Sequence, residues 1–555
     1  MNHHIIAYIF IYFILSISVI GFGFLLIHYS KSYFSEINLG EIGILGILFL
    51  VLYSQLSHLI FAHSFVHNLI LIVMGFLLSL YFLIKDTNKN YYIFFVVLGL
   101  IFISFPTFKS HDDFSYYHFP YTFYLTQYKH IFGLGIFNHG FRTPSSIFYL
   151  NSLFYIPYFE YYLFNLSAVL ILAFANLTLT LKLIKIIKNK EFNLIFYLIL
   201  FILIFINIFF YRISEHGTDR SAQILILLLF LEYIGMIYYK INIKSYINKI
   251  LVYIAIIISL KAFYFLYVFF LFPLIFFLVD SKNIKLFKKL FFLKNLYFNL
   301  LLVIFLFVLF VNFSNSGCLL YPVSFTCLEN YSWSIPVNEV KKMNMWYEQW
   351  SKAGAGPNFR VSNPEIYIQQ FNWVSNWIDK YFFNKVLDFL GGLCLLILFL
   401  FICFYKKGKS RINFNNHIII FYLLILLFFF EWFYNHPSLR YGGYVLVFSI
   451  LVIPAVILLD SSSIKKELIR PRLFVVISLV IIIFLARNVN RIDKEYKTYD
   501  YNLIKDFRYN VKEDFFRIDM QIKERITKYD FCIKTGDCNE GIHKSLNFFF
   551  LKRVK

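Results

Sequence analysis

The chain has 555 residues, of which 60% are hydrophobic and only 15% charged, with a mean hydropathy of +0.67. Those values lie outside the range of soluble globular proteins. A formal charge of +21 would suggest nucleic acid in a soluble protein. Here the lysines gather in short loops between apolar stretches, which is the positive-inside bias of membrane proteins, so no nucleic-acid partner is expected.

Apolar stretches recur from residue 5 to residue 481, and at about 20 residues each is long enough to cross a bilayer. The first is read as a span, not a cleaved leader. Basic segments at 181–190, 240–249, 280–294, 405–411 and 461–472 are assigned to the cytoplasm. Working outward from them, spans are expected near 5–28, 42–62, 66–84, 91–107, 160–182, 192–211, 219–239, 295–313, 386–405, 414–434, 441–460 and 472–488. Residues 247–279 are too short for two full spans and too long for one, so two short helices meeting at "SLKAF" are expected. The fold class is an all-α polytopic membrane protein with about 12–14 transmembrane helices and both termini outside.

The expected organisation is N-terminal helices (1–107), an extracytoplasmic loop (108–158), a core containing the broken pair (159–314), a Trp-rich extracytoplasmic loop (315–385), C-terminal helices (386–488) and a small extracytoplasmic soluble segment (489–555). Five of the six tryptophans fall in the 315–385 loop, where Val340, Met343, Tyr347 and Trp350 share one helical face and Trp373 and Trp377 lie a turn apart. Such a helix is expected to lie in the headgroup layer.

On this topology the outer side collects "SHDDFSYYHFPY" with His111, Asp112, Asp113 and His118, then "HGFRTP" with His139 and Arg142. It also collects "SEHGTDR" with Glu215, His216, Asp219 and Arg220, then Lys261, and "HPSLRYGG" with His436 and Arg440. Acids, histidines and cations alternating around one mouth suit an anionic substrate and the movement of a proton. Ser110 or Asp112 is expected to cap the helix that follows, which leaves Asp113 as first choice for a catalytic base, with Asp112 next. Repulsion between the two carboxylates should raise one pKa, unless a loosely held Mg or Mn ion on Asp112 and Asp113 relieves it. Lys261, Arg440, Arg142 and Arg220 are candidates to bind phosphate, and His111, His118, His216 and Glu215 to support the site. Cys318 with Cys327, and Cys532 with Cys538, are candidate disulfides in an oxidising compartment, whereas Cys394 and Cys403 sit in an apolar run as packing residues.

An acidic motif in the first large outer loop, amphipathic segments, many spans and a C-terminal soluble piece together resemble the GT-C superfamily of polytopic glycosyltransferases. More closely, "HDDFSYYHFPY", "SGCLLYP...TC" and "HPSLRYGG" look like a group of poorly characterised bacterial membrane proteins of that kind. The resemblance implies transfer of a sugar from a polyprenyl-phosphate donor to a glycan, lipid or protein acceptor. The reaction would invert the anomeric centre, at the periplasmic face of a bacterial inner membrane, with the family's loop carboxylate at Asp112 or Asp113. One departure is that the family's acid follows the first span, whereas about four spans precede it here. The competing readings are a transporter or flippase for an anionic lipid or glycan, and an O-antigen ligase or polymerase.

Overall fold

The computed structural model describes residues 3–30, 37–85, 91–281, 283–291, 293–356, 359–406, 416–461, 466–535 and 541–552. Each expected apolar segment is a helix. Among the described residues twelve helices are long and apolar enough to cross a membrane, and Tyr91–Phe102 and Leu194–Phe209 are two shorter apolar ones. This is the make-up of a multi-pass membrane protein, because within a bilayer a helix satisfies every backbone polar group internally. The expected break is present, but its two arms, Ile243–Leu260 and Ala262–Asp280, are each long and apolar enough to cross a membrane, which corrects the expectation of two short helices. They are separated at Lys261, whose backbone is extended (φ −164°, ψ 148°).

The helices sort by how much of their surface the protein covers. Gly217–Tyr239 is 94% buried and sits at the centre of the bundle, whereas Asn416–Asn435 is 22% buried and turns Leu423, Leu427 and Phe430 outward. An outward row of large apolar side chains is what a lipid-facing helix presents. Cys394 is exposed on another such helix, Leu387–Phe404, and so is not the packing residue expected, whereas Cys403 is half-buried and packs against the core. Small residues let the first three helices approach closely: a Cβ on Gly21 would lie 1.9 Å from the Gly75 carbonyl oxygen, and one on Gly46 1.9 Å from that of Val19.

One end of the bundle gathers the three long polar regions. The Gly133 N–H donates to the Ser314 carbonyl, Asn510 N–H to Phe108 and Phe507 N–H to His3, so both described ends of the chain meet there. The residue 500–552 region is not a separate unit. Strand Phe548–Leu551 pairs in parallel with Ile131–Phe132 and antiparallel with Ile542–Ser545, and Tyr509 and Phe515 pack with Phe114, Phe119 and Phe164. The last long helix runs on past the expected 488 to Tyr499. Its polar turns stay helical because they pack against the 103–108 segment: Arg491 donates to the Pro106 and Ile103 carbonyls, and Glu495 accepts from Phe108 N–H.

The tryptophans of the 315–385 region are not alike: Trp346, on helix Val337–Lys352, is exposed. Trp333, Trp373 and Trp377 are buried, with their indole N–H groups donating to the carbonyls of Phe313, Gln370 and Pro437. A buried indole needs such an acceptor, and the protein supplies it here.

The basic segments meet at the other end, where Arg470 donates to the Ile187 carbonyl and Asn295 to Asn248. Two lysines read as loop residues are half-buried there against two buried glutamates. Lys182 lies 2.9 Å from Glu41 and 2.8 Å from Glu232, and Lys249 lies 2.8 Å from Glu41, joining four helices through two acids and two bases.

Candidate functional site

A cavity of about 1360 Å³ opens at the end that carries the long polar regions. Its walls come from the start of the 108–158 region, the kinked start of helix Ile213–Tyr239, the Lys261 break, helix Val337–Lys352, the 436–444 turn and the polar turns of helix Lys466–Tyr499. Non-helical geometry at Gly217 separates the first turn of its helix from the rest. Phe114–His118 and Ile378–Val386 are π-helical and both line the cavity, a distortion that recurs at functional sites.

At its centre is an alternating chain of charges. Arg440 Nη2 is 2.6 Å from Asp113 Oδ2, Arg440 Nε is 3.0 Å from Asp219 Oδ2, and Lys261 Nζ is 2.7 Å from Asp219 Oδ1. The Arg440 carbonyl accepts from Gln223 and Tyr264, and the Arg440 guanidinium lies over the Trp350 and Tyr441 rings. Gly442, at φ +102°, turns the backbone from this arginine into the next helix, a conformation only glycine adopts freely. A guanidinium fixed on two carboxylates holds elements distant in sequence in one register.

The acidic motif differs from its expectation in two ways. Neither Ser110 nor Asp112 caps the helix; His111 does, its Nδ1 accepting from the Asp113 N–H at 3.1 Å. An accepting nitrogen requires neutral imidazole, in keeping with burial lowering the His111 pKa. Nor is the Asp113 pKa raised by its neighbour. Burial pushes it up, but the Arg440 guanidinium, helped by His118 and His111, outweighs burial and holds Asp113 well below the usual carboxylate range. Asp112 is exposed and its carboxylate has no ion pair or hydrogen bond among the described residues. Adjacent on one helical start, the two acids differ: Asp113 is committed and Asp112 is free.

The four expected phosphate-binding cations also divide. Lys261 and Arg440 belong to the chain just described. Arg142 is turned away: it donates to the Gly135 carbonyl, to Tyr321 Oη at 3.0 Å and to Glu339 at 2.5 Å, tying the 108–158 region to the 315–385 region. With its donors committed it is a structural tie, not a ligand for phosphate. Arg220 lines the cavity, packs on the Phe210 ring, and has no carboxylate partner among the described residues; one terminal nitrogen is buried without an acceptor.

Glu215 pairs with Arg212. His118 lines the cavity, and burial lowers its pKa to about 3 against the pull of Asp113, so it is neutral at physiological pH. His139 binds the Tyr116 hydroxyl at 2.9 Å. The side chains of His216 and Cys532, and the whole of Cys538, lie outside what the structure describes. Cys318 and Cys327 form the expected disulfide, closing a loop whose Tyr321–Val323 tip lines the cavity.

No described group of three His, Cys, Asp or Glu side chains is placed to hold a metal. Mg and Ca ions take about six or more oxygen ligands, whereas Asp112 and Asp113 are one free carboxylate and one already neutralised by Arg440. The residues present do not fit a resident Mg or Mn ion.

Sequence reasoning gave no role to Asp219, Arg487, Arg491 and Lys494. Among the described residues lining the cavity, nine side chains are basic and six acidic, so it favours an anion. Asp219 had a signal, an acid four residues after Glu215 on the same helix. Arg491 and Lys494 were hidden by reading the end of the apolar run as the end of the helix, and Arg487 by lying inside the expected span.

Residues 5–447 match a family described as Domain of unknown function (DUF8201). No curated protein and no solved structure matches the chain.

Proposed function

The chain belongs to the DUF8201 family, and we propose that it is an inverting glycosyltransferase that moves a sugar from a polyprenyl-phosphate donor to a cell-envelope acceptor. The observation that carries this reading is a cavity lined at once by a carboxylate, Asp112, and a guanidinium, Arg220, neither with an ion pair among the described residues, and by a fixed chain of paired charges. The free acid is equipped to accept a proton, and the free cation to hold a phosphate.

In this mechanism the acceptor hydroxyl oxygen attacks the anomeric carbon and the new glycosidic bond forms. The bond from that carbon to the phosphate oxygen breaks, and its electron pair leaves on the phosphate. The hydroxyl proton passes to Asp112. Arg220 and Lys494, which has no ion pair among the described residues, stabilise the leaving phosphate. Asp113, Arg440, Asp219 and Lys261 hold the walls in place. Asp112 therefore replaces Asp113 as first choice for the base, because the capping role once given to it falls to His111. The Cys318–Cys327 disulfide supports placing this end in an oxidising compartment, such as the periplasmic face of a bacterial inner membrane.

The test compares envelope glycans and glycolipids by mass spectrometry in cells with the wild-type protein, no protein, or the Asp112→Asn or Arg220→Ala variant at matched abundance. Loss of one sugar in the null and Asp112→Asn cells, with unmodified acceptor accumulating, is the expected result. Full restoration by both variants would reject the transferase in favour of transport. That second reading has one observation behind it, the Glu41–Lys182–Glu232–Lys249 group buried in the bundle.

A further inference from the structure

The cavity has two chemically distinct walls. One is cationic: Arg220 lies near Arg212, Glu215 and Tyr444, and Lys494 is exposed on the neighbouring helix. A second wall comes from the 108–158 and 315–385 regions, where Tyr116 and Tyr347 share Arg142 as a neighbour. Asp113 of the charge chain acts on Tyr116 as well as on Arg440.

On the second wall two aromatic rings are left uncovered. Tyr116 is 43% exposed and Trp346 38%, whereas Trp333, Trp373, Trp377 and Trp432 are all 8% exposed or less. Both rings line the cavity that Asn344, an exposed amide with no side-chain hydrogen bond among the described residues, and the Asp112 carboxylate also line. Arg142, a neighbour of Tyr116 together with Arg517, is spent on Glu339. We infer that this wall is a saccharide subsite that holds the acceptor, a sugar chain reaching the cavity from water; the inference rests on the transferase reading.

Rings with one face open offer the C–H face of a sugar a large apolar contact. An amide and a carboxylate offer its hydroxyls donors and acceptors. The donor then sits with its phosphate on the Arg220 wall and its reacting carbon toward Asp112.

The test is photo-crosslinking in cells. A benzophenone amino acid is placed at Trp346, at Tyr116 or, on the cationic wall, at Thr498, and crosslinked peptides are analysed by mass spectrometry. Adducts that carry hexose-type increments at 346 or 116 and not at 498 are the expected result. Lipid-only adducts at 346 and 116, the same adducts on both walls, or no adduct at 346 and 116 would overturn the inference. The two readings fail separately. If Asp112→Asn abolishes transfer but no sugar is captured at 346 or 116, the subsite falls and the transferase stands. If sugar is captured there but Asp112→Asn restores every glycan, the transferase falls and the saccharide site stands.

Discussion

Two groups of two acids and two bases lie at opposite ends of this bundle. Asp113, Arg440, Asp219 and Lys261 line a large cavity, which is also lined by a carboxylate and a guanidinium with no ion pair among the described residues. Glu41, Lys182, Glu232 and Lys249 do not line that cavity, and all four are occupied with one another. The comparison teaches that a cluster of intramembrane charge is not in itself a sign of chemistry. What distinguishes the first group is space for a ligand and polar groups still waiting for one.

That distinction can be broken most sharply at Asp112. Asp112→Asn is expected to lower transfer by about 10²–10⁴-fold, the usual contribution of a general base. Its unfolding temperature in detergent should stay that of the wild type, because the carboxylate holds nothing together. In the buried quartet the pattern should reverse. Glu232→Gln leaves Lys182 short of one carboxylate and is expected to cost about 3–5 kcal/mol of stability. Replacing all four by Met should be close to neutral, since well-packed apolar residues commonly match a buried ion network. If the fourfold variant stays stable yet loses transfer, the quartet is functional and the comparison fails.

Asp219→Asn probes the middle of the cavity group. Arg440 and Lys261 would lose their shared carboxylate, at an expected cost of about 1–3 kcal/mol, with transfer falling alongside as the walls loosen. Restoration of both by Asp219→Glu would mark a positioning role.

The Asp113–Arg440 pair sharpens the comparison through pH. Because the folded pKa of Asp113 is depressed, its stabilising contribution is present above the unfolded value of about 3.9 and is lost as pH falls toward the folded one. The difference in unfolding temperature between wild type and Asp113→Asn should therefore be flat from about pH 8 to 5 and shrink below about pH 4. The smallest effect is expected at His118. With its pKa lowered to about 3 by burial, it does not ionise near neutrality, so His118→Gln should leave the position of the acid limb of the pH–rate profile unchanged.

Much of the site was legible because polar residues at the ends of apolar runs are expensive and therefore conspicuous. The motifs at 111–118, 215–220, 261 and 436–440 were each visible in the sequence, and the structure brings all of them to one cavity. Division of labour within each motif was not visible. Asp112 and Asp113 are the same residue type in adjacent positions; Glu215 and Asp219 are both acids on one helix, yet Arg212 takes the first and Arg440 with Lys261 the second. Lys182 and Lys249 looked like loop lysines because a basic residue within two turns of a helix end has the same local sequence whether it faces water or a buried glutamate.

Hydrophobic periodicity and length, by themselves, determined the helices, the break at Lys261 and the gathering of the long polar regions at one end, because the backbone's need for internal hydrogen bonds in a bilayer leaves a chain of this composition little choice. Only the tertiary structure decided which charges are neutralised and which remain free. Pairing depends on distances across residues far apart in sequence, such as Arg440 with Asp113. It was decided at the same stage that three tryptophans of the 315–385 region turn inward and that the last helix continues to line the cavity, since both follow from carbonyls and side chains supplied by other segments.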